Sequence, residues 1–141
     1  VLDKIKQTAQ EYQVQTRNIS YDSDGVGQYI AQYLRTARPI INNGKVLKKE
    51  NYINLKTQLY YKLGELIREG KIKIKTPKFK KEIEGELLSI KRKDRTTSES
   101  KQEINSKAEQ KKILGHSPDF SDAMAYRMIF EYIKGNFTRL A

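Results

Sequence analysis

Apolar residues at Leu2, Ile5, Ala9 and Tyr12 recur with helical spacing between polar neighbours, which predicts an amphipathic helix over residues 2–13. The period then shortens. Arg17 to Asp22 is brief and partly alternating and runs into Ser23-Asp24-Gly25, the pattern of a strand that ends at Asp22 in a turn. After Gly27, the set Val26, Tyr29, Ile30, Tyr33 and Leu34 marks the core face of a second helix, and Arg38 to Ile41 before Asn42-Asn43-Gly44 reads as a second strand. Helix, strand, helix, strand in that order predicts an α/β fold with parallel pairing.

A long helix is expected from about Glu50 to Glu69, burying Leu55, Leu59, Tyr60, Leu63, Leu66 and Ile67 and stopped by Gly70. Lys71-Ile72-Lys73-Ile74-Lys75 alternates and ends before Pro77, as an edge strand with one basic face does. Residues 79–93 combine a short helix (Phe79, Ile83, Leu87) with a possible strand at 88–93. Residues 94–109 carry almost nothing apolar and read as a mobile loop or hairpin tip. Ser117-Pro118 opens a last helix, with Phe120, Ala123, Met124, Arg127, Phe130 and Ile133 or Lys134 on adjoining faces.

At 141 residues the chain is the size of one domain. It has no cysteine, so disulfides, thiolate metal sites and cysteine nucleophiles are excluded, and a cytoplasmic address is expected. The net charge of +11 favours an anionic partner such as nucleic acid. Residues 71–112 hold 14 Lys and Arg against 7 Asp and Glu, so this basic insertion is either a solvated segment or a DNA-facing surface. Lys71, Lys73, Lys75, Lys91, Arg92 and Lys93 are the candidates for phosphate contacts that steer DNA without reading its sequence. The start at Val1 is expected of a piece of a longer protein.

Asp22 and Asp24 lie at the carboxyl end of a predicted strand, where open α/β sheets bind ligands. Asp119 and Asp122 are three residues apart at the start of the last helix, near its positive end. Carboxylates gathered from such positions suit Mg²⁺: hard oxygen ligands whose repulsion the cation relieves, with open positions for water and phosphate. The alternative is plain: Asp24-Gly25 is also an ordinary turn, and Asp119 and Asp122 also complement a helix. His116 reads as a loop residue, and Tyr29, Tyr33, Tyr60 and Tyr126 as core packing.

Ile19 to Ile30 with its Asp22-Ser-Asp24-Gly25-Val26-Gly27 turn, Asn42-Asn43-Gly44, Asn51-Tyr52, Asn54 to Leu63 and Gly115 to Met124 together resemble the nuclease domain of phage terminase large subunits. The resemblance implies a ribonuclease H-like fold, a mixed sheet flanked by helices, and a two-metal (Mg²⁺ or Mn²⁺) DNA endonuclease with three acidic ligands. Asp22 and Asp122 match the second and third, with Asp24 the alternative to Asp22 and Asp119 a possible outer ligand. The first belongs to upstream strands that this chain is expected to lack, so the domain is partial. Implied partners are double-stranded DNA, the terminase small subunit, the portal protein and an ATPase domain of the same subunit. No Gly-x-x-x-x-Gly-Lys-Ser/Thr occurs, so the ATPase is not in this chain. The runner-up reading is a non-catalytic DNA-binding or assembly module.

Overall fold

In a computed structural model, which describes residues 1–24, 27–97 and 100–133, helices surround a small parallel sheet. α1 (Leu2–Glu11) leads through a 3-10 turn at Thr16–Asn18 to β1 (Ser20–Asp22), α2 (Gly27–Ala31) and β2 (Arg38–Ile40). β1 and β2 pair in parallel, Ser20 opposite Arg38 and Asp22 opposite Ile40, as the order of elements predicts. Arg38 N–H donates to the Ile19 carbonyl and the Ile40 carbonyl accepts from Ser23 N–H. Residues 38 and 40 thus turn their backbone groups to β1, and Pro39 between them, which has no N–H, faces the opposite edge.

The core is built on α3 (Leu55–Arg68). Its Leu55, Leu59, Tyr60, Leu63 and Leu66 are buried as their spacing predicts, whereas Ile67 is exposed. The helix begins five residues later than expected because Asn54 caps it, its side chain accepting from Thr57 N–H at 2.9 Å. Gln58, wholly buried, accepts from Leu47 N–H (2.7 Å) and donates to the Leu47 carbonyl (2.9 Å) and to Glu50 (2.8 Å), so the 3-10 turn at Leu47–Lys49 and Glu50 are pinned to α3 and are not its first turn. Gly70 ends the segment with a positive φ of 68°.

Five expectations are corrected. Residues 71–75 form no strand among the described residues: Ile72 packs on the core and Lys71 pairs with Glu69, so burial of one apolar side chain, not a ladder, fixes the segment. The helix of the next stretch is α4 (Lys80–Ser89), and the expected strand at 88–93 reduces to one antiparallel bridge, Arg92 to Ile104. The presumed loop at 94–109 gives way at its end to α5 (Lys107–Leu114), started by a capping box between Ser106 and Glu109 and closed by Gly115 at φ 79°. In α6 (Asp119–Arg127) the buried face is Ser121, Asp122, Ala125 and Tyr126, while Phe120 and Ala123 are exposed. Met128, Ile129 and Phe130 enter the core beyond it, with Ile129–Tyr132 as α7. Tyr29 and Tyr33 are also exposed and pair with each other, ring centroids 5.1 Å apart, so these two are not core. Gly25, Val26 and Lys134 of the expectations lie outside the described residues.

Packing against α3, α4 and β1 seats α6. The Glu86 carboxylate of α4, 1 % exposed, accepts from Ser121 N–H at 2.7 Å and so serves one of the unpaired amides of the first turn of α6. Glu86→Ala is expected to cost about 3 kcal/mol by orphaning that amide and leaving a void, and Glu86→Gln about 1 kcal/mol. Urea unfolding checks this, and equal midpoints for the two variants would count against the role. No helix among the described residues is long and apolar enough to cross a membrane.

Candidate metal centre

β1 delivers Asp22 to its carboxyl end, and β2 delivers Asn42 two residues beyond its own end. Asp22 Oδ1 accepts from Asp24 N–H at 2.9 Å, which closes the local turn. Asn42 bridges the two acids, its Nδ2 donating to Asp24 Oδ2 at 2.8 Å and to Asp22 Oδ2 at 3.5 Å. Its backbone N–H adds a bond to Asp24 at 3.3 Å. These donors offset the repulsion of two neighbouring carboxylates. Asp22 is half-buried and Asp24 exposed.

Asp122 comes from the first turn of α6 and is buried. Tyr60 donates to its Oδ1 at 2.6 Å, Lys56 pairs with the same oxygen at 2.8 Å, and Lys107 with Oδ2 at 3.3 Å. The Lys56 side chain is only 12 % exposed, so removing that partner would leave a shielded charge uncompensated. Tyr126 lies one helical turn after Asp122, on the same face. Its hydroxyl meets Asp22 Oδ2 at 3.1 Å and Asn42 Oδ1 at 2.9 Å. Tyr126 thus ties α6, one turn beyond Asp122, to Asp22 at the end of β1. Asp119, in the same first turn, is exposed.

Burial pushes the Tyr60 phenol far above its usual range, the charge of Asp122 next. Tyr126 is raised likewise, by burial first and then by Asp122 and Asp22. Both therefore stay protonated donors at any working pH. A raised folded-state value means that their stability contribution is complete below the ordinary tyrosine value of 10.0 and is lost as pH climbs toward the folded values. The urea midpoint should accordingly decline from about pH 10 upward, more shallowly in a Tyr60→Phe, Tyr126→Phe double variant. Parallel declines in both proteins would remove the two phenols as the cause.

Of the basic candidates, Lys71 pairs with Glu69 and Lys93 with Glu103, while Lys73, Lys75, Lys91 and Arg92 are exposed. They do not form one strip. Lys71 borders the end of α6 with Arg127 and Glu131. Lys91 to Lys93 instead run beside Glu103 to Asn105, ahead of Lys107, with Lys91 N–H bonded to Asn105.

Sequence reasoning missed Lys56, Lys107, Asn42, Tyr60 and Tyr126 as site residues. Only Tyr126 carried a usable signal, its four-residue spacing from Asp122. The donors suit a hard divalent cation in kind, carboxylate and amide oxygens with no sulfur or imidazole. Their number is short of a closed site: among the described residues no three His, Asp or Glu side chains gather around one point.

No family model matches the chain, and no curated protein does. Solved structures do. One is a mutant nuclease domain of the large terminase subunit gp2 of bacterial virus Sf6 with manganese, at 20 % identity and a TM-score of 0.60, covering 77 % of this chain and 64 % of that one. Another is the mutant gp2 domain of bacteriophage Sf6 with calcium, at 20 % identity and a TM-score of 0.59, covering 77 % and 63 %. The chain thus spans just under two thirds of the domains it matches. The likeness is one of fold: this chain has the fold of the nuclease domain of a phage large terminase subunit.

Proposed function

We propose that this chain is the metal-dependent DNA endonuclease domain of a phage or prophage DNA-packaging terminase, hydrolysing phosphodiester bonds in concatemeric viral DNA. The observation that supports it best is the junction of Asp22, Asn42, Tyr126 and Asp122, in a fold whose solved relatives were studied with manganese and calcium. Asp22 and Asp122 would hold Mg²⁺ or Mn²⁺, with Asp24 and Asp119 as further oxygen donors. Two such ions supply activation of water and stabilisation of the leaving oxygen. The protein's share is positional. Tyr60 and Tyr126 fix one oxygen of each carboxylate, Asn42 keeps Asp22 and Asp24 together, and the exposed lysines of 71–112 attract the DNA backbone.

The chain forms a single domain on this reading, and further strands beside β1 complete its sheet. The apolar face of α1 supports that addition: α1 has no buried residue, and Ile5, Ala9 and Tyr12 line an open groove of about 600 Å³ with Val14 and Ile19. Double-stranded DNA, the small subunit, the portal protein and the ATPase domain follow as partners. A second reading, a DNA-binding or assembly module without catalysis, is favoured by the engagement of both Asp122 oxygens by lysine. Cleavage of supercoiled plasmid with Mn²⁺ or Mg²⁺ separates the two, using this chain and one extended at its start, each with Asp22→Asn or Asp122→Asn. Cutting that both substitutions remove supports the nuclease. DNA binding with no cutting by either unmutated form supports the module.

A further inference from the structure

The basic segment has an apolar outcrop. Phe79, at the N-cap of α4, and Phe120, in the first turn of α6, pair ring to ring with centroids 5.2 Å apart, yet both stay more than a third exposed, at 37 % and 36 %. Phe120 precedes Asp122 by two residues, roughly 200° round the helix. The pair therefore stands on the side of α6 away from its buried face of Ser121, Asp122, Ala125 and Tyr126, outside the candidate metal centre. Exposed Ala123 follows one turn after Phe120, and exposed Pro77 precedes Phe79.

Lysines surround the two rings. Lys73, Lys75, Lys78, Lys80 and Lys81 are exposed, and no acid occurs between residues 71 and 81. Lys78 lies over the Phe79 ring, Nζ 5.0 Å from its centroid, and Lys80 reaches Glu84 at 3.8 Å. Among the described residues Lys73, Lys75 and Lys81 pair with no acid. Lys80 and Lys81 also occupy the first turn of α4, the positive end of its dipole, where cations oppose the helix and a neighbouring anion relieves them.

Ring carbon inside a collar of ammonium groups selects among partners. A duplex backbone would take the lysines and leave the rings in water. A second copy of this chain would bring the same lysines and a net charge of +11. A protein segment with carboxylates around an apolar side chain satisfies both parts. We propose that Phe79, Phe120 and their lysines are a docking surface for an acidic segment of another protein, which seats an apolar side chain on the two rings and sets carboxylates against Lys75, Lys78 and Lys81. This surface is independent of the nuclease reading.

The probe is a fluorescein-labelled synthetic peptide of about twelve residues, glutamate with leucine at every fourth position so that the leucines share one helical face. Its binding is read by anisotropy. Phe79→Ala and Phe120→Ala should each weaken it about tenfold, the loss expected of an anchor residue. Lys75→Gln and Lys81→Gln, at exposed positions, should each weaken it about threefold, whereas Lys6→Gln, which removes the same charge from the exposed side of α1, should cost less than about twofold. The same peptide with serine in place of leucine should bind about tenfold more weakly, and Phe79→Ala should then cost almost nothing further, because the contact is already absent. Thermal melts identify the variants that remain folded.

A leucine peptide that binds no more tightly than the serine one overturns the docking surface. So does an equal loss for both peptides in Phe79→Ala, or a loss in Lys6→Gln as large as in Lys81→Gln, since either reduces the attraction to charge alone. A short labelled DNA duplex in EDTA and vesicles of phosphatidylcholine with phosphatidylserine are run beside the peptide. Both should bind the phenylalanine variants as they bind the unmutated protein. A loss for either that exceeds the loss for the peptide overturns the protein partner in favour of that one.

Discussion

Asp122→Asn is expected to reduce metal-dependent cleavage by on the order of a thousandfold or more, equivalent to about 4 kcal/mol of transition-state stabilisation. Asparagine keeps the shape and an acceptor for Tyr60, whose hydroxyl lies 2.6 Å from Oδ1, but it lacks the charge that would hold a divalent cation on the proposed reading. It also leaves Lys56, 12 % exposed, without its counter-ion. A modest loss of stability, about 1–3 kcal/mol, should accompany the loss of cutting. The two effects separate by measurement: unfolding in EDTA reports the lysine, and plasmid nicking with Mn²⁺ reports the carboxylate. A folded Asp122→Asn protein that still nicks at a tenth of the original rate would remove Asp122 from the catalytic set.

Gly27→Ala should disrupt the site from a residue with no side chain. A Cβ at position 27 would stand 1.7 Å from the Asp22 carbonyl oxygen and 2.7 Å from its carbon. Both are backbone atoms at the end of β1, so no rotamer change relieves the collision. Either α2 moves outward or the end of β1 does, at about 3 kcal/mol or more and on the order of 10 °C in melting temperature. Asp22, bonded to Asp24 N–H and Tyr126, moves with its own backbone. Cleavage should fall further than stability alone accounts for, and thermal melts beside rate measurements at a temperature where the variant remains folded test this. An unchanged melting temperature would show that the close approach is absorbed.

The parts of the fold that the sequence disclosed share one property: local pattern and tertiary burial agree. In α3 the apolar stripe of Leu55, Leu59, Leu63 and Leu66 is the buried stripe. β1 ends at Asp22 because a turn follows, and its parallel pairing follows from the intervening helix. Failures occur where burial is polar. In α6 a hydrophobicity scale selects Phe120 and Ala123, yet the buried face holds Ser121 and Asp122, sheltered by partners from α3, α4 and α5 that no local pattern shows. α5 was hidden by its charge, although the capping-box sequence Ser106 to Glu109 and Gly115 mark both its ends. At the site, the acids were legible as positions, and their lysine, tyrosine and asparagine partners were not, because each lies far away in sequence. The string Asn54-Leu55-Lys56-Thr57-Gln58 illustrates this: in turn a cap, a core residue, the counter-ion of Asp122, the capped amide and a buried loop pin. Similarity could register that string; only coordinates give each letter a task.

Pro39 gives the sheet a direction of growth. Arg38 and Ile40 spend their backbone groups on β1, and the residue facing outward between them cannot donate. Any chain seeking the far edge of β2 meets a missing donor, whereas Ser20 and Asp22 leave the free edge of β1 able to pair. Fibrous stacking needs two competent edges per molecule, one to receive and one to offer. Where no further strand covers β1, strand-to-strand association between copies of this chain is expected to stop at two.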